Sequence, residues 1–403
     1  MATTGTDLSR MREMNMLSIV WALRGNPPST VTELAGRAGL SRPAVDVLVQ
    51  SLVTDGWAEV EEPGTNSVVG RPARRFRFRA DAGHVLGIDI GVHKVLVMLS
   101  DLEGNLVQTL RRPVDPEAAP KARLAAVDRA IDKVLRGAGM APADIWAVTV
   151  GVTGPVDASG RTTLSTPLPG WHTADPVAHL AARFSCPVQV ENDCKLAAVA
   201  ERWKGVASDA DDIVFLLAGL RTGAGLILDG ALRRGHGGAA GEIGALKAVR
   251  WLSAPGHLEA CPGVPATAAP GEAAAWVFQA ARDGDRQART AVRRYTRDLA
   301  VGVAALVLAL DPQVVVYGGG FSRSADVVLE PLRHELTKHC LRLPELRAST
   351  LGDESVALGA VRLALDEVDS RLLSDGLAAP SAPRRDTSRA KTRTDRTDDR
   401  LTD

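Results

Sequence analysis

The stretch at residues 85–107 carries residue types that could grip a phosphate group. An apolar run leads into Asp89, and Lys94 opens a second apolar run after a glycine-containing turn. Backbone N–H groups in such a turn can approach a phosphate closely, and a lysine adds positive charge. Val92 and His93 occupy the turn, however, where close approach favours small residues. The pattern therefore predicts the shape of a phosphate-binding hairpin and leaves its chemistry open.

A second candidate for phosphate chemistry is a group of arginines near residue 75. Its members are Arg71, Arg74, Arg75, Arg77 and Arg79. The chain has 48 basic and 48 acidic residues, so its net charge of zero creates no general attraction for nucleic acid. A local cluster can still bind backbone phosphates, because it displaces counterions from the DNA. Arg71 lies in a Gly-Arg-Pro insert similar to those that lie along a minor groove.

The elements around these arginines follow the pattern of a winged helix-turn-helix. In VTELAGRAGLSRPAVDVLVQ, residues 31–50, apolar residues at helical spacing fill one small core. Gly39 can adopt the positive φ of a tight turn, Ser41 can cap the second helix, and Pro43 is tolerated in its first turn. An amphipathic helix precedes this pair. After the helix pair, the segments WAEV and RFRFR alternate in period 2, as the two strands of a hairpin do.

The second helix of this pair is predicted to enter the major groove of DNA. Arg42, Pro43 and Asp46 lie on its outer early turns and are expected to contact base edges. Asp46 has an alternative role, since an acid near DNA can simply orient Arg42. Thr32 is expected to cap the preceding helix and to touch a phosphate. The complete predicted set is Thr32, Ser41, Arg42, Pro43, Asp46, Arg71, Pro72, Arg74 and Arg75.

One winged module binds weakly and reads few bases. We therefore expect a double-stranded DNA operator that is palindromic and bound by a dimer. The alternative for this region is a helical protein-interaction module with a solvated basic hairpin.

From residue 84 onward, strand and helix patterns alternate in two similar halves, the second starting near DIVFLLAGL. Behind the winged helix-turn-helix, this predicts an α/β fold of the two-lobed actin-like (ribonuclease-H-like) class, shared by ATPases and sugar kinases. The predicted domains are 1–80 for the winged helix, 84–205 for lobe 1, completed by a C-terminal helix near 354–370, and 206–353 for lobe 2. Residues 373–403 have few large apolar side chains and are predicted to be a disordered charged tail.

Composition argues against several other classes of protein. No run of about 18 apolar residues is present, so no membrane span is expected. The first residues lack the apolar core of an export signal. Cys186, Cys194, Cys261 and Cys340 are scattered without a C-x-x-C pair, which indicates free thiols in a reducing compartment. These features together predict a cytoplasmic protein.

Six motifs give the chain a resemblance to a known family. They are GIDIG (87–91), GVTGPVD (151–157), LPGW (168–171), ENDCKLAAVAE (191–201), GAAGEIGA (238–245) and VVVYGGG (314–320). Each motif alone is weak, but together they resemble the ROK family of repressors, open reading frames and kinases. The N-terminal region places the resemblance in the transcription-regulator branch of that family.

The resemblance implies a sugar site. Asp193 matches the general base of the family's kinases, and Asn192 matches the sugar-binding asparagine beside it. Glu242 and Glu259 match acceptors for sugar hydroxyl groups, a task suited to carboxylates because a sugar offers many O–H donors. Gly154 is expected to shape the pocket wall. Helix capping is the alternative role for the Asn192-Asp193 pair.

The chain departs from the family at both phosphate loops. The family's first turn reads Asp-x-Gly-Gly-Thr-x-Lys, whereas Val92 and His93 replace its second glycine and threonine here. The family's second loop is a Gly-Thr-Gly run, and Leu220 and Arg221 add bulk at that place. Only the glycines of the adenosine side, 318–320, are intact. We therefore expect no ATP and no kinase activity, with Asp193 as a vestigial base.

The zinc ligands implied by the resemblance are also replaced. Ala245 stands at the family's histidine, and Arg250, Leu252 and His257 stand at its three cysteines when Glu259 is aligned with the final glutamate. Structural zinc needs about four N, S or O ligands. The sequence therefore predicts no metal, and it predicts His257 to be a surface or loop residue.

These observations favour a transcription regulator, most readily a repressor of sugar-metabolism genes, that binds a sugar or sugar-phosphate effector. The family implies a homodimer or homotetramer. One alternative is an active ATP-dependent sugar kinase with an added DNA-binding domain. Another is a ligand-independent DNA-binding protein in which the ROK half only dimerises.

Overall fold

The computed structural model describes residues 4–61, 73–162 and 168–377. The chain divides into two compact units, Met1–Gly83 with Arg371–Asp403, and His84–Ser370. No helix of the described part is long and apolar enough to span a membrane. The wing residues Arg71 and Pro72 lie outside the described residues, as does most of the predicted tail.

The first unit is a winged helix-turn-helix. Its elements are α1 (Thr4–Leu23), β1 (Ser29–Thr30), α2 (Val31–Ala38), α3 (Arg42–Asp55), β2 (Ala58–Glu61) and β3 (Arg75–Phe78). The sheet order is β1-β3-β2, with both pairings antiparallel. The expected hairpin is present, and β1 is a short third strand that the alternation pattern did not predict.

The turn between α2 and α3 follows its predicted chemistry. Gly39 has φ +67°, and its N–H donates to the Ala35 carbonyl. The Ser41 hydroxyl accepts a hydrogen bond from the Ala44 N–H at 3.4 Å, and Pro43 lies in the first turn of α3. Both ends of the turn are thus fixed by local contacts alone.

The expected cap of α2 is displaced by two residues. The N-cap is Thr30, whose hydroxyl accepts from the Glu33 N–H at 3.3 Å while the Glu33 carboxylate accepts from the Thr30 N–H at 2.7 Å. The prediction that Thr32 caps this helix is wrong, because Thr30 and Glu33 complete a reciprocal capping box. Thr32 is an exposed residue of the first turn.

The first sheet of the second unit has five strands. They are β4 (His84–Ile90), β5 (Lys94–Asp101), β6 (Leu106–Pro113), β7 (Ile145–Val152) and β8 (Val188–Asn192). The helices of this half are α4 (Pro120–Ala138), α5 (Pro176–Ala181) and α6 (Asp193–Lys204). The strand order is β6-β5-β4-β7-β8, and the β4–β7 and β7–β8 pairings are parallel.

The second sheet repeats the first. Its strands are β9 (Ile213–Leu217), β10 (Gly223–Leu228), β11 (Ala231–Leu232), β12 (Val314–Gly318) and β13 (Glu345–Ala348), in the order β11-β10-β9-β12-β13. The remaining helices are α7 (Gly256–Glu259), α8 (Pro270–Arg282), α9 (Arg286–Leu310), α10 (Ala325–Leu336) and α11 (Ser355–Asp375). In each sheet a meander of three strands is followed by two parallel strands on the other side of its first strand.

The layer between the two sheets contains α6 and the first half of α11. A Cβ at Gly225 of β10 would lie 2.2 Å from the Cys194 carbonyl oxygen of α6. The backbone of this strand therefore packs directly against the backbone of the helix. A Cβ at Gly87 of β4 would lie 2.4 Å from the Ala357 carbonyl oxygen of α11. The start of α6 also meets the first sheet, because a Cβ at Gly151 of β7 would lie 2.8 Å from the Leu196 side chain. Helix α11 continues to Asp375, so the tail predicted from residue 373 begins inside a helix.

Candidate functional site

The solvent face of α3 carries the residues predicted to contact bases. Arg42, Pro43 and Asp46 are exposed, whereas the alternate face of the helix is buried in the core. The buried residues of α3 are Val45, Leu48, Val49 and Leu52. Because the core fixes the rotation of the helix, the outer face is presented as one surface, as major-groove readers require.

The arginines of the hairpin are less available than their number suggests. Arg77 pairs with Glu59 at 2.6 Å, and Arg79 pairs with Asp81 at 3.3 Å. Arg75 donates to the Pro28 carbonyl at 2.6 Å and lies 3.7 Å from the Glu33 carboxylate. Arg74 is exposed and has no acidic partner among the described residues. Of these four arginines, Arg74 has the most freely available charge for a phosphate.

Asn192 closes β8 and caps α6. Its side-chain oxygen accepts from the Lys195 N–H at 3.2 Å, and its amide nitrogen donates to the Gly154 carbonyl and to the Asp193 carboxylate, each at 3.0 Å. The capping role and the contact with Gly154 are thus both present. The amide thereby joins the end of β8 to the turn after β7.

Asp193 is held against the first turn of α6. Its carboxylate accepts from the Cys194 N–H at 2.8 Å. Burial raises the pKa of this carboxyl above its ordinary value, and hydrogen bonds from Cys194 and Thr153 partly oppose that rise. A carboxylate in such surroundings gains from a hydroxyl donor, because the donor replaces water that burial has removed.

Lys195 is a charged residue that the motif analysis did not single out. It is fully buried, and its ammonium donates to the Gly238 carbonyl in the segment between β11 and Glu242. Burial raises the pKa of Glu242; the nearby Lys195 charge opposes this rise, and the Asp193 charge adds to it. The three side chains therefore form one charged group. A lysine on the buried face of α6 was the available sequence signal.

Glu259 makes no hydrogen bond or ion pair with this group in the described part of the chain. It is exposed at the end of α7, and the charges that act on Glu242 are those of Lys195 and Asp193. The structure thus brings together Gly154, Asn192, Asp193 and Glu242 of the predicted sugar-binding residues. The role of Glu259 stays a prediction.

A cavity of about 390 Å³ runs along β8 beside this group. Val156, Glu191, Arg234 and Gly238 are among its walls, so it is lined by neighbours of the predicted residues rather than by Asn192 and Asp193 themselves. Glu191 is almost fully buried and pairs with Arg234 at 2.6 Å. This ion pair joins β8 to the segment after β11.

The first phosphate turn is held by hydrogen bonds and an ion pair to other residues of the chain. The Gly91 N–H donates to the Lys94 carbonyl at 2.9 Å, and the Lys94 ammonium lies 3.3 Å from Asp89 and 2.5 Å from the Asp353 carbonyl. Arg123 is fully buried and donates to the Gly91 carbonyl at 2.6 Å and to the Val92 carbonyl at 3.0 Å. The Gly91 N–H and the Lys94 ammonium, which were expected to face a triphosphate, thus already bind other groups of the protein.

The second phosphate loop presents bulk at the surface. Leu220 is 40% exposed, and Arg221 is exposed beside it. The Thr222 hydroxyl is buried without a hydrogen-bond partner in the described part of the chain. On the adenosine side, Gly319 has φ +85° in the turn after β12. The second loop thus places two bulky side chains at the surface, where the family's kinases have a Gly-Thr-Gly run.

The residues at the family's zinc positions do not fit a zinc ion. Ala245, Arg250 and Leu252 are exposed and supply no ligand atom of the usual kind. The partly buried His257 is bound through Nε2 to the buried Asp298 at 2.8 Å, so its prediction as a surface or loop residue missed this pairing. No cluster of three or more potential ligands occurs among the described residues. The segment is held instead by Trp251, which is fully buried and donates to the Leu299 carbonyl at 3.1 Å.

The fold defines a winged helix-turn-helix joined to a two-sheet unit of the sugar-kinase type. The chain belongs to the ROK family, which it matches over residues 85–263 and 268–367. Residues 15–62 match the IclR helix-turn-helix domain. The predicted family and fold class are therefore confirmed.

The chain is similar to curated repressors and to curated glucokinases. The chain is 23% identical over 389 residues to the xylose repressor of Caldicellulosiruptor bescii, covering 89% of this chain and 97% of that protein. It is 28% identical over 316 residues to the glucokinase of Streptomyces coelicolor, covering 70% of this chain and 98% of that one. Repressors match nearly the whole chain, whereas glucokinases match only its ROK part.

Solved structures show the same division. A ROK family transcriptional regulator, described as a homologue of the E. coli MLC protein, aligns with TM-score 0.66 and 18% identity over 90% of this chain and 98% of that chain. A ROK family glucokinase from Streptomyces griseus, in complex with glucose and AMPPNP, aligns with TM-score 0.59 and 27% identity over 70% of this chain and 100% of that chain. Family membership alone thus does not separate regulator from enzyme.

Proposed function

We propose that this protein is a DNA-binding transcriptional repressor whose ROK unit responds to a sugar. One observation carries the proposal: a single chain holds both an outward-facing recognition helix and a cluster of amide and carboxylate side chains, beside a cavity along β8, that suits a polyhydroxy ligand. The xylose repressors that match nearly the whole chain support this combination.

The cluster joins elements of both sheets of the ROK unit. Asn192 and Asp193 lie where β8 meets α6, and Glu242 follows the segment after β11. A sugar whose hydroxyl groups donate to both carboxyl groups would draw these elements together. Such a change alters operator affinity only if the two states differ in DNA binding, and the coupling is reciprocal.

The effector is proposed to be a sugar or sugar phosphate, and the operator to be palindromic and bound by a homodimer or homotetramer. A winged unit of this size contacts few base pairs, so two copies are needed for useful specificity. Light scattering of the free protein and of its operator complex measures the stoichiometry.

The kinase alternative is disfavoured by the two phosphate loops. The donors of the first turn are engaged internally, and Leu220 and Arg221 add bulk to the second loop. We propose that ATP and zinc are not cofactors. Coupled assays with glucose, N-acetylglucosamine, xylose and mannose should show no ATP turnover. Turnover abolished by Asp193→Asn would instead establish an enzyme.

The repressor proposal is tested by operator binding with and without sugars. Duplex DNA selected from a random library serves as the operator, and anisotropy titrations report its affinity. We expect one sugar to weaken binding about 5- to 150-fold, the usual range of such coupling. Glu242→Gln should abolish this response without changing affinity in the absence of sugar.

The matched control is Asn105→Ala. Asn105 is a polar residue in the turn between β5 and β6, and its amide donates to Asp101 at 3.0 Å. This variant should respond to sugar as the wild type does. A protein that binds the operator but responds to no sugar would favour a ligand-independent DNA-binding protein.

A further inference from the structure

Val47 is an unusual residue on the solvent face of α3. Its side chain is 62% exposed, whereas Val45, Leu48 and Val49 on the same helix are buried. Pro43 lies four residues before it, which places the two side chains on one face. The exposed valine therefore belongs to the same surface as the residues predicted to contact bases.

Folding gives little reason for a valine at this position. Its side chain adds almost nothing to the core, because most of its surface stays in solvent. A β-branched residue also loses side-chain freedom inside a helix, where alanine or lysine is preferred. Single exposed apolar residues are common, so exposure alone is not evidence of a role. Its place on a DNA-reading face distinguishes this one.

DNA offers one apolar group in its major groove, the C5-methyl of thymine. An exposed valine on the early turns of a recognition helix is chemically suited to that methyl and to no hydrogen-bonding base edge. We propose that Val47 contacts a thymine methyl and selects thymine at one position in each operator half-site. The inference rests on the proposed DNA-binding function and deepens it.

The exposed residues around Val47 fit this role. Asp46 precedes it and Gln50 follows three residues later, both exposed. A glutamine on this face can form paired hydrogen bonds with adenine. The α3 surface therefore combines polar readers with an apolar contact at Val47. Together these contacts would distinguish a T·A pair from a C·G pair at the base opposite Val47.

The test removes the apolar contact from either partner. Full-length protein selects duplexes from a random library, and each thymine of the selected half-site is then replaced by deoxyuridine, which lacks only the methyl group. Wild type and Val47→Ala are titrated against every duplex. One replacement should weaken wild-type binding about fourfold per methyl, equivalent to about 0.8 kcal/mol. The same replacement should leave binding by the variant unchanged, since the contact is already lost.

Val301→Ala provides the matched control. Val301 is also a valine on a helix, α9, and is 39% exposed. This variant makes the same chemical change outside the winged helix and should retain the wild-type sensitivity to deoxyuridine. Alanine favours a helix more than valine does, so neither variant should lose its fold.

The outcomes separate the two proposals. If no duplex is selected, DNA binding itself fails. If DNA binds but no deoxyuridine replacement weakens it, or if Val47→Ala stays as sensitive as the wild type, the thymine contact is wrong. Equal loss of affinity by Val47→Ala on all duplexes would likewise overturn it and assign Val47 a general packing role.

Discussion

At the scale of single residues, buried charges concentrate where β4 ends and α6 begins. Asp89 is 5% exposed beside Lys94, and Lys195 is fully buried near Asp193 and Glu242. Each of these carboxyls has a raised pKa, chiefly because burial disfavours the charged form. Ionising these buried carboxyl groups therefore lowers the stability of the fold, and such perturbed groups are common in binding sites.

Asp89 gives a prediction with a definite sign. Burial raises its pKa from 3.8 to about 6, with the Lys94 charge opposing the rise. The folded state then keeps a proton that the unfolded state releases, so the contribution of Asp89 to stability is greatest below pH 4 and is lost as pH rises through 6. Asp89→Asn cannot ionise and should escape this loss.

Urea titrations from pH 4 to pH 7 measure the effect on the His84–Ser370 unit. Relative to pH 4, the variant should gain about 2 kcal/mol over the wild type by pH 7, somewhat less than the full shift of about two pKa units because part of it is already lost at pH 4. Other carboxyls titrate in both proteins, so the difference between the curves is the informative quantity. Parallel curves across this range would contradict the assignment.

At the scale of elements, two helical glycines have opposite surroundings. Gly302 of α9 faces the indole of Trp251, and a Cβ there would lie 2.5 Å from Cε2 of that ring. Gly36 of α2 is exposed, and a Cβ there would meet nothing within 4 Å. Glycine is required at the first position and is only tolerated at the second.

Alanine at each position should therefore shift stability in opposite directions. Gly302→Ala should destabilise the ROK unit by about 1–3 kcal/mol, because the anchored Trp251 must move. Gly36→Ala should stabilise the winged helix by about 0.5–1 kcal/mol, because alanine restricts the unfolded chain and favours the helix. Thermal unfolding of both variants checks the signs. A loss at Gly36→Ala comparable with that at Gly302→Ala would contradict this explanation.

Element boundaries were predictable where local chemistry decides them. Gly39, Ser41 and Pro43 fix the turn before α3 through contacts within a few residues. The Thr30–Glu33 capping box also follows a readable spacing, which Thr32 lacks because Ala35 lies three residues after it. Ion pairs of the wing were not predictable, since they depend on cross-strand register.

At the scale of the whole molecule, the segment after β11 fastens one half of the ROK unit to the other. Arg234 pairs with the buried Glu191 at the end of β8, and the Gly238 carbonyl accepts a hydrogen bond from the Lys195 ammonium. A Cβ at Gly238 would lie 1.9 Å from the Val156 carbonyl oxygen, so the backbone itself is in contact. These contacts hold Glu242 close to Asp193.

Neighbouring arginines test this attachment. Arg234→Ala leaves the buried Glu191 without its ionic partner and should destabilise the unit by about 1–2 kcal/mol, since Arg234 itself is half exposed. Arg233→Ala removes a pair with Asp229, which is 86% exposed, and should change stability by less than about 0.5 kcal/mol. Chemical unfolding compares them. Equal effects would show that the buried carboxylate does not depend on Arg234.

Long-range proximity limited what the sequence could predict of the site. Asn192 and Asp193 are adjacent in the chain, and their motif placed them correctly at the start of a helix. Glu242 reaches them only because two sheets share α6. Lys195 was missed because its neighbours lie far away in the sequence. The role of its charge follows only from its contact with the Gly238 carbonyl and its effect on Glu242, both of which require the folded structure.

Because Lys195 is buried, its contacts in the ROK unit should respond to ionic strength differently from the DNA contacts of the winged helix. Contacts with DNA phosphates weaken steeply as salt displaces them. The ammonium of Lys195 is fully enclosed, where mobile ions screen little. Concentrated salt that strips the protein from its operator should therefore leave the pocket assembled, so a sugar can still be bound by protein that has already left the DNA.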